Sequence, residues 1–336
     1  PLLESHNKEI FEIFLYSFSV KEDSYTNKLK NLGCIFKNIS EFDEQEIIKL
    51  VRSDNLNIAI DLMGYTSEGR FYIFRNRIAP TQINFLGFPG TMGSKFYDYI
   101  IGDKITIPKK DEKFYTEKVL RLNHFFPPNR FIRDLASEFS LTKKDFKIPQ
   151  NAFIFTCFNA SKKITPKEFD VWMNLLYEIQ DSILWLRKFD NFSVINLKKE
   201  AEKRNIDPER IIFAERLEKK EQHLYRYKIS DLGLDTFNYN GHTTTSDALW
   251  SGLPVLTKIG KSFASRVAAS ILNSLDLNYL IATTEREYEE KAIYLAQNRD
   301  EILKYKNQLK TLNNTNIVNP ENYAKEIESL YLKIIK

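Results

Sequence analysis

Short runs of β-branched and aromatic residues alternate along this chain with charged stretches of helical length, the pattern of an α/β protein with parallel sheets. A first series of strands is predicted over 14–18, 57–63, 82–87 and 97–101, with a weaker one over 119–122. The pattern then pauses. Residues 123–150 carry Pro127, Pro128, Pro149 and a lysine-rich stretch, and read as a connection between two lobes. A second series places strands over 152–158, 182–187, 210–214, 231–235 and 254–257, with helices near 166–177, 191–204, 219–229, 243–251 and 263–273, which is a doubly wound sheet. In the last stretch, Tyr323, Ile327, Leu330, Tyr331 and Ile334 recur at helical spacing and predict an apolar face that docks elsewhere. The expected division is an N-terminal Rossmann-like lobe over 1–125, a connection over 126–150, a second Rossmann-like lobe over 151–311, and a final segment over 312–336 docking on the first lobe.

Composition narrows the class. At 336 residues, 43% apolar, 13% aromatic and 28% charged, the chain has enough apolar surface to fold as two ordinary domains without staples. Its 49 basic residues are interleaved with 45 acidic ones, which argues against a nucleic-acid binder with a one-sided basic stripe. No apolar run approaches the roughly 18–20 residues of a membrane span, and no signal-peptide pattern opens the chain. Two cysteines, Cys34 and Cys157, have neither disulfide nor zinc spacing, so a cytoplasmic location is expected. Of eleven glycines, six fall over 64–102 and four over 233–260, which suggests two loop systems facing each other across a cleft.

The stretch from Asp235 to Pro254 follows an apolar strand, crosses a polar loop and starts a short helix that Gly252 and Pro254 stop. Thr243, Thr244 and Thr245 would add hydroxyl donors to the free amides at its N-terminus, where a helix favours anions such as a diphosphate. Asp247, about one turn in, could accept from a ribose hydroxyl, or simply complement the dipole. Lys163 lies in the loop between a strand and the next helix, within reach of the same crevice or as a solvated surface lysine. His223 and Arg226, three apart, share a helix face, suited to stacking on a base and meeting phosphate or base. In the first lobe, 64–67 and 86–93 follow apolar strands and are fit to contact a small neutral ligand such as a sugar. There is no P-loop, dinucleotide fingerprint or nucleophile elbow, and no Asp-x-Asp pair to hold a divalent metal on a diphosphate. Lysine, arginine and a helix N-terminus would have to neutralise a departing diphosphate.

Six motifs in order, 61–66, 86–91, 98–101, 158–166, 240–244 and 265–270, together resemble the catalytic region of O-linked N-acetylglucosamine transferases, more closely the bacterial members that carry tetratricopeptide repeats. The resemblance covers essentially the whole chain. It implies a GT-B architecture of two Rossmann-like lobes, an inverting transfer from a UDP-sugar, UDP-N-acetylglucosamine first, to a protein or peptide hydroxyl, and no metal or other cofactor. It matches Lys163 to the lysine on the diphosphate, Thr243 and Thr244 to the helix-terminal threonines on the phosphates, and His242 to the histidine beside them. Asp247 matches the ribose-binding acid, His223 and Arg226 the helical pair beside the uracil, and Lys220 is a looser match there. Gly87, Pro89 and Thr66 lie in the first-lobe loops facing the sugar.

Departures accompany the match. Ala160 stands where animal members have a glutamine near the base, Ser67 replaces a basic residue, and Glu218 stands where a small residue contacts the base through its backbone. The family's first strand, its His-Pro turn and the repeats would precede Pro1, so the expectation is a first lobe that is incomplete. Plant relatives with similar motifs use a GDP-sugar, which leaves the donor base open. A UDP-sugar epimerase on the same fold and a non-catalytic binding fragment remain as alternatives.

Overall fold

The computed structural model describes residues 1–126, 141–311 and 319–335; the connection expected over 126–150 and the start of the segment expected over 312–336 lie largely or partly outside them. The chain divides into two units, Pro1–Pro128 with Asn319–Lys336, and Asn129–Val318.

In the first unit, β1 (Phe14–Ser17) pairs in parallel with β2 (Ile35–Asn38), and β3 (Ile58–Asp61), β4 (Thr81–Asn84), β5 (Tyr99–Gly102) and β6 (Lys118–Arg121) form a parallel sheet in sequential order. Strand β2 escaped the pattern because it is four residues long and only two of them, Ile35 and Phe36, are apolar. The helix Glu44–Ser53 is capped by Asp43, whose carboxylate accepts from Glu46 N while Glu46 reaches back, a capping box. Its Ile47, Ile48 and Val51 join Ala59, Ile73, Phe74, Met92 and Tyr97 in the core. Pro320 at the first helical position and Asn319 as N-cap open the final helix, Pro320–Ile334. That helix buries Tyr323, Ala324, Ile327 and Tyr331 in this unit, with the Tyr323 hydroxyl donating to Phe125 O at 2.7 Å and Glu328 accepting from Asn7 N at 2.7 Å.

The second unit is built on six parallel strands, β7 (Phe153–Cys157), β8 (Ser182–Arg187), β9 (Ile211–Ala214), β10 (Leu232–Leu234), β11 (Val255–Lys258) and β12 (Ile281–Ala282), in the order β12-β11-β10-β7-β8-β9. Strand β7 is buried at every position, as expected where helices cover both faces of a parallel sheet. Strand order reverses between β7 and β10. In such a sheet, the loops leaving the carboxyl ends of those two strands diverge and leave a crevice where ligands bind.

Candidate functional site

Both diverging loops are organised by one buried carboxylate. Asp235, directly after β10 and 1% exposed, accepts from Thr236 N (2.9 Å), Gly241 N (2.6 Å), Asn159 Nδ2 (3.0 Å) and Thr257 Oγ1 (2.6 Å). Burial pushes its acid up to about 6, opposed by those donors and by the Lys163 ammonium. Asn159, on the loop after β7, also donates to Thr236 Oγ1 and accepts from Thr244 Oγ1, so it ties the two loops together. A second buried acid, Glu168 on the helix Pro166–Glu178, accepts from Thr165 Oγ1 and from Phe237 N at 3.0 Å. None of these three anchors was singled out from sequence. The available signal was an acid placed at the end of an apolar strand.

What they hold is a helix N-terminus. The helix Thr243–Trp250 starts after His242, and its first internal bond is Ser246 N to His242 O at 3.0 Å, so the amides of residues 243–245 have no carbonyl partner within the helix. Gly241 is required here: a Cβ would sit 2.5 Å from Thr245 Oγ1 and 2.6 Å from Thr244 Oγ1. Of the three threonines, Thr243 is exposed, Thr244 gives its hydroxyl to Asn159, and Thr245 is buried, so side-chain donation outward rests on Thr243 and the amides do the rest. Lys163 ends the 3-10 turn Ser161–Lys163 and donates to Asn240 O at 2.8 Å, its ammonium 3.8 Å from the centre of the Tyr239 ring. Burial pulls its pKa below the usual lysine range while the Asp235 carboxylate works to keep the charge. Sequence reasoning left Lys163 open as a surface residue; the structure bonds it to Asn240, two residues before His242.

His242 caps the helix and is half-buried. Its Nε2 donates to Ala264 O at 3.2 Å, which assigns the tautomer and leaves Nδ1 as an acceptor. Burial, then the nearby Lys163 charge, drive its pKa down to about 4, so the imidazole is neutral at pH 7. Asp247 is the fifth residue of the helix, beyond the first turn, which removes the dipole-complement reading; burial raises its acid to about 6.

The expected base-side pair separates. His223, on the helix Lys220–Ile229, is packed by Phe158 (5.6 Å between centroids) and Tyr227 (5.5 Å), and burial followed by the Arg226, Arg187 and Lys220 charges brings its pKa down to about 4. Arg226 does not face outward with it. At 3% exposure it donates to Glu215 O and lies 5.4 Å from the Phe146 ring, with its pKa drawn down to about 10 by burial. The reason is geometric: positions three apart share a stripe only roughly, and Arg226 is buried, where it braces the loop after β9. Lys220 is exposed at the helix start.

In the first unit the loops expected to face a sugar are pinned the same way. Asp61, last in β3, accepts from Met63 N (2.9 Å), Gly64 N (2.8 Å) and the Tyr97 hydroxyl (2.5 Å). Thr66 turns its hydroxyl onto Met63 O at 2.9 Å. A Cβ on Gly87 would meet Leu62 O at 2.0 Å, so only glycine lets these two loops touch; Pro89 follows, half-buried. Glu117 accepts from Met92 N at 2.6 Å and from Thr91 Oγ1 at 2.5 Å, closing the same loop. Among the described residues no group of three or more His, Cys, Asp or Glu could hold a metal ion.

The profile of glycosyl transferase family 41 matches residues 2–143 and 134–327. The chain belongs to this family. Among family 41 relatives, a probable UDP-N-acetylglucosamine–peptide N-acetylglucosaminyltransferase of Arabidopsis thaliana, SEC, is 32% identical across 98% of this chain and 34% of its own length. The UDP-N-acetylglucosamine–peptide N-acetylglucosaminyltransferase of Caenorhabditis elegans is 26% identical across 88% of this chain and 35% of its own length. The family 41 chain thus spans about a third of the curated relatives it matches. A lysine-to-methionine variant of the O-GlcNAc transferase of Thermobaculum terrenum superposes with a TM-score of 0.89 at 26% identity, covering 99% of this chain and 63% of that one. More distant solved structures share the fold alone, among them an Anabaena protein solved with UDP and glucose, at a TM-score of 0.60 and 9% identity over 94% of this chain and 91% of that one. The family expected from the six motifs is therefore the family found.

Proposed function

We propose that this family 41 chain transfers N-acetylglucosamine, or a related sugar, from UDP to Ser or Thr hydroxyls of proteins, with inversion, without a metal or other cofactor, and in the cytoplasm. The observation that carries the reading is the Lys163 ammonium, partly desolvated and held 2.8 Å from Asn240 O, two residues ahead of the helix terminus at His242. The printed names of the Arabidopsis and nematode relatives supply the donor and acceptor class.

On this reading the diphosphate lies against the amides of residues 243–245 and the Thr243 hydroxyl, and Lys163 meets the oxygen that gains charge as the sugar leaves. Such donors are fixed before the bond breaks, so their attraction grows with the developing charge and costs no reorganisation. Asp247 serves the ribose, and His223, neutral and walled by aromatic rings, offers a flat face to the base with Lys220 beside it. Thr66, Gly87 and Pro89 serve the sugar. Lys163→Ala should lower kcat by about two to three powers of ten while UDP affinity changes less than tenfold. Equal losses in both would remove the lysine from the leaving-group step. Turnover in excess EDTA should equal turnover without it. Conversion of UDP-N-acetylglucosamine to an epimer, or UDP binding with no transfer to any peptide, would replace this reading with an isomerase or a binding module.

A further inference from the structure

Arg187 is a cation at the edge of this site that the roles above leave unused. It is the last residue of β8 and is exposed. Strand register puts it beside Ala214 of β9, and its predecessor Leu186 beside Cys157 of β7, so Arg187 stands next to Phe158 where the β7 loop begins. Strand alternation gives it the same face as Trp185, the face that Phe158 covers at 5.2 Å between centroids, and Phe158 in turn touches His223 and Tyr227. The Arg187 charge reaches both of those groups. Its neighbour Lys188 is paired with Glu215 at 2.6 Å; among the described residues the Arg187 guanidinium meets only the ring of Phe189, 4.4 Å from its centroid.

Strand order then says which part of a nucleotide would reach it. With a diphosphate at the helix that follows β10, the order β10-β7-β8 places the end of β8 two strands away, roughly 10 Å along the carboxyl edge. A nucleotide laid along that edge brings its base, not its phosphates, to β8 and His223. Within the β7 loop, position 160 is alanine and supplies no side-chain donor of its own.

We infer that Arg187 reads the base of the donor nucleotide: its guanidinium donates to the carbonyl edge of uracil or guanine and rejects a base that presents an amino group at the same place. A guanidinium has five N–H donors and no acceptor, so it pairs with a carbonyl and leaves an amino group unsatisfied. The inference rests on the nucleotide site proposed above.

Calorimetric affinities of UDP and CDP test it, since these differ by a carbonyl against an amino group on the base. The wild-type protein should favour UDP by about ten- to a hundredfold, the range of one charge-assisted hydrogen bond. Arg187→Ala should weaken UDP by that factor, leave CDP where it was, and keep the melting temperature, because the side chain is exposed. Arg187→Lys keeps the charge and a donor-only head without the planar fork, and should restore the preference only in part. If the wild type favours GDP over UDP, GDP against ADP is read in the same way. Equal losses of UDP and CDP, unchanged affinities for both, or full rescue by lysine would each overturn the inference. A wild-type protein that binds no nucleoside diphosphate would instead refute the site on which it rests.

Discussion

A carboxylate oxygen buried without a partner is costly, and Asp247 carries one: the residue is 7% exposed and, among the described residues, its Oδ1 accepts no hydrogen bond. Burial raises its acid to about 6 against the favourable charge of Lys220. Because the folded pKa lies above the unfolded one, near 3.9, the native state is favoured with the proton on. That contribution is full below about pH 4 and lost as pH rises through about 6. Asp247→Asn should therefore stabilise the protein at pH 7.5 by about 2–3 kcal/mol, change little at pH 4, and weaken UDP binding about tenfold, read from thermal melts at the two pH values and calorimetry. A variant that melts lower at pH 7.5 would show that the fold itself uses the charge. Asp235 has a similarly raised pKa but four donors around it, which is why one acid reads as a site waiting for a hydroxyl and the other as an anchor. Residue type alone does not separate them. Both are acids flanked by threonine or serine, and the donors that distinguish Asp235 include Asn159, 76 positions away.

Among the elements, the helix Thr243–Trp250 does more than its eight residues suggest, because its open amides depend on how closely the preceding turn can approach it. Gly241→Ala should force Thr244, Thr245 and Asn159 apart, since its Cβ would come within 2.5–2.9 Å of all three. The expected outcome is at least a tenfold loss of UDP affinity with a stability cost of about 1–3 kcal/mol. Unchanged UDP affinity in a folded variant would mean that the amides are not the anion site. The buried strands of the second unit were legible because both faces of β7 and β8 are covered, leaving a continuous apolar run. The edge strands β2 and β12 were not: β2 is only half-buried or exposed and β12 has two residues, so neither leaves a periodic signal.

At the scale of the whole chain, the first unit is completed only when residues from Asn319 onward return to it. His6 Nδ1 lies 2.8 Å from Glu328 Oε1, Asn123 N donates to Glu326 at 2.7 Å, and Ile327 is fully buried. Ile327→Ala should cost about 2–5 kcal/mol, seen as an earlier unfolding transition in denaturant. UDP affinity measured on the folded variant should stay within twofold, because the residues assigned to the nucleotide lie in the other unit. A large loss of affinity would show that the two units depend on each other for the site.

Periodicity, the strand-to-helix turn before Thr243 and six ordered motifs determined, from sequence alone, the α/β class, the GT-B fold, the family and the helix N-terminus proposed as the anion site. These are local properties, written in repeats of two and 3.6 positions and in short runs of neighbours. Tertiary structure alone decided that Arg226 braces a loop, that Thr244 is committed to Asn159, that both site histidines are neutral, and that Arg187, over the Phe189 ring, has no hydrogen-bond partner among the described residues. Each of those depends on desolvation and on partners brought from distant parts of the chain, as Lys163 meets Asn240 across 77 positions, and no local repeat encodes which segments will exclude water from one another.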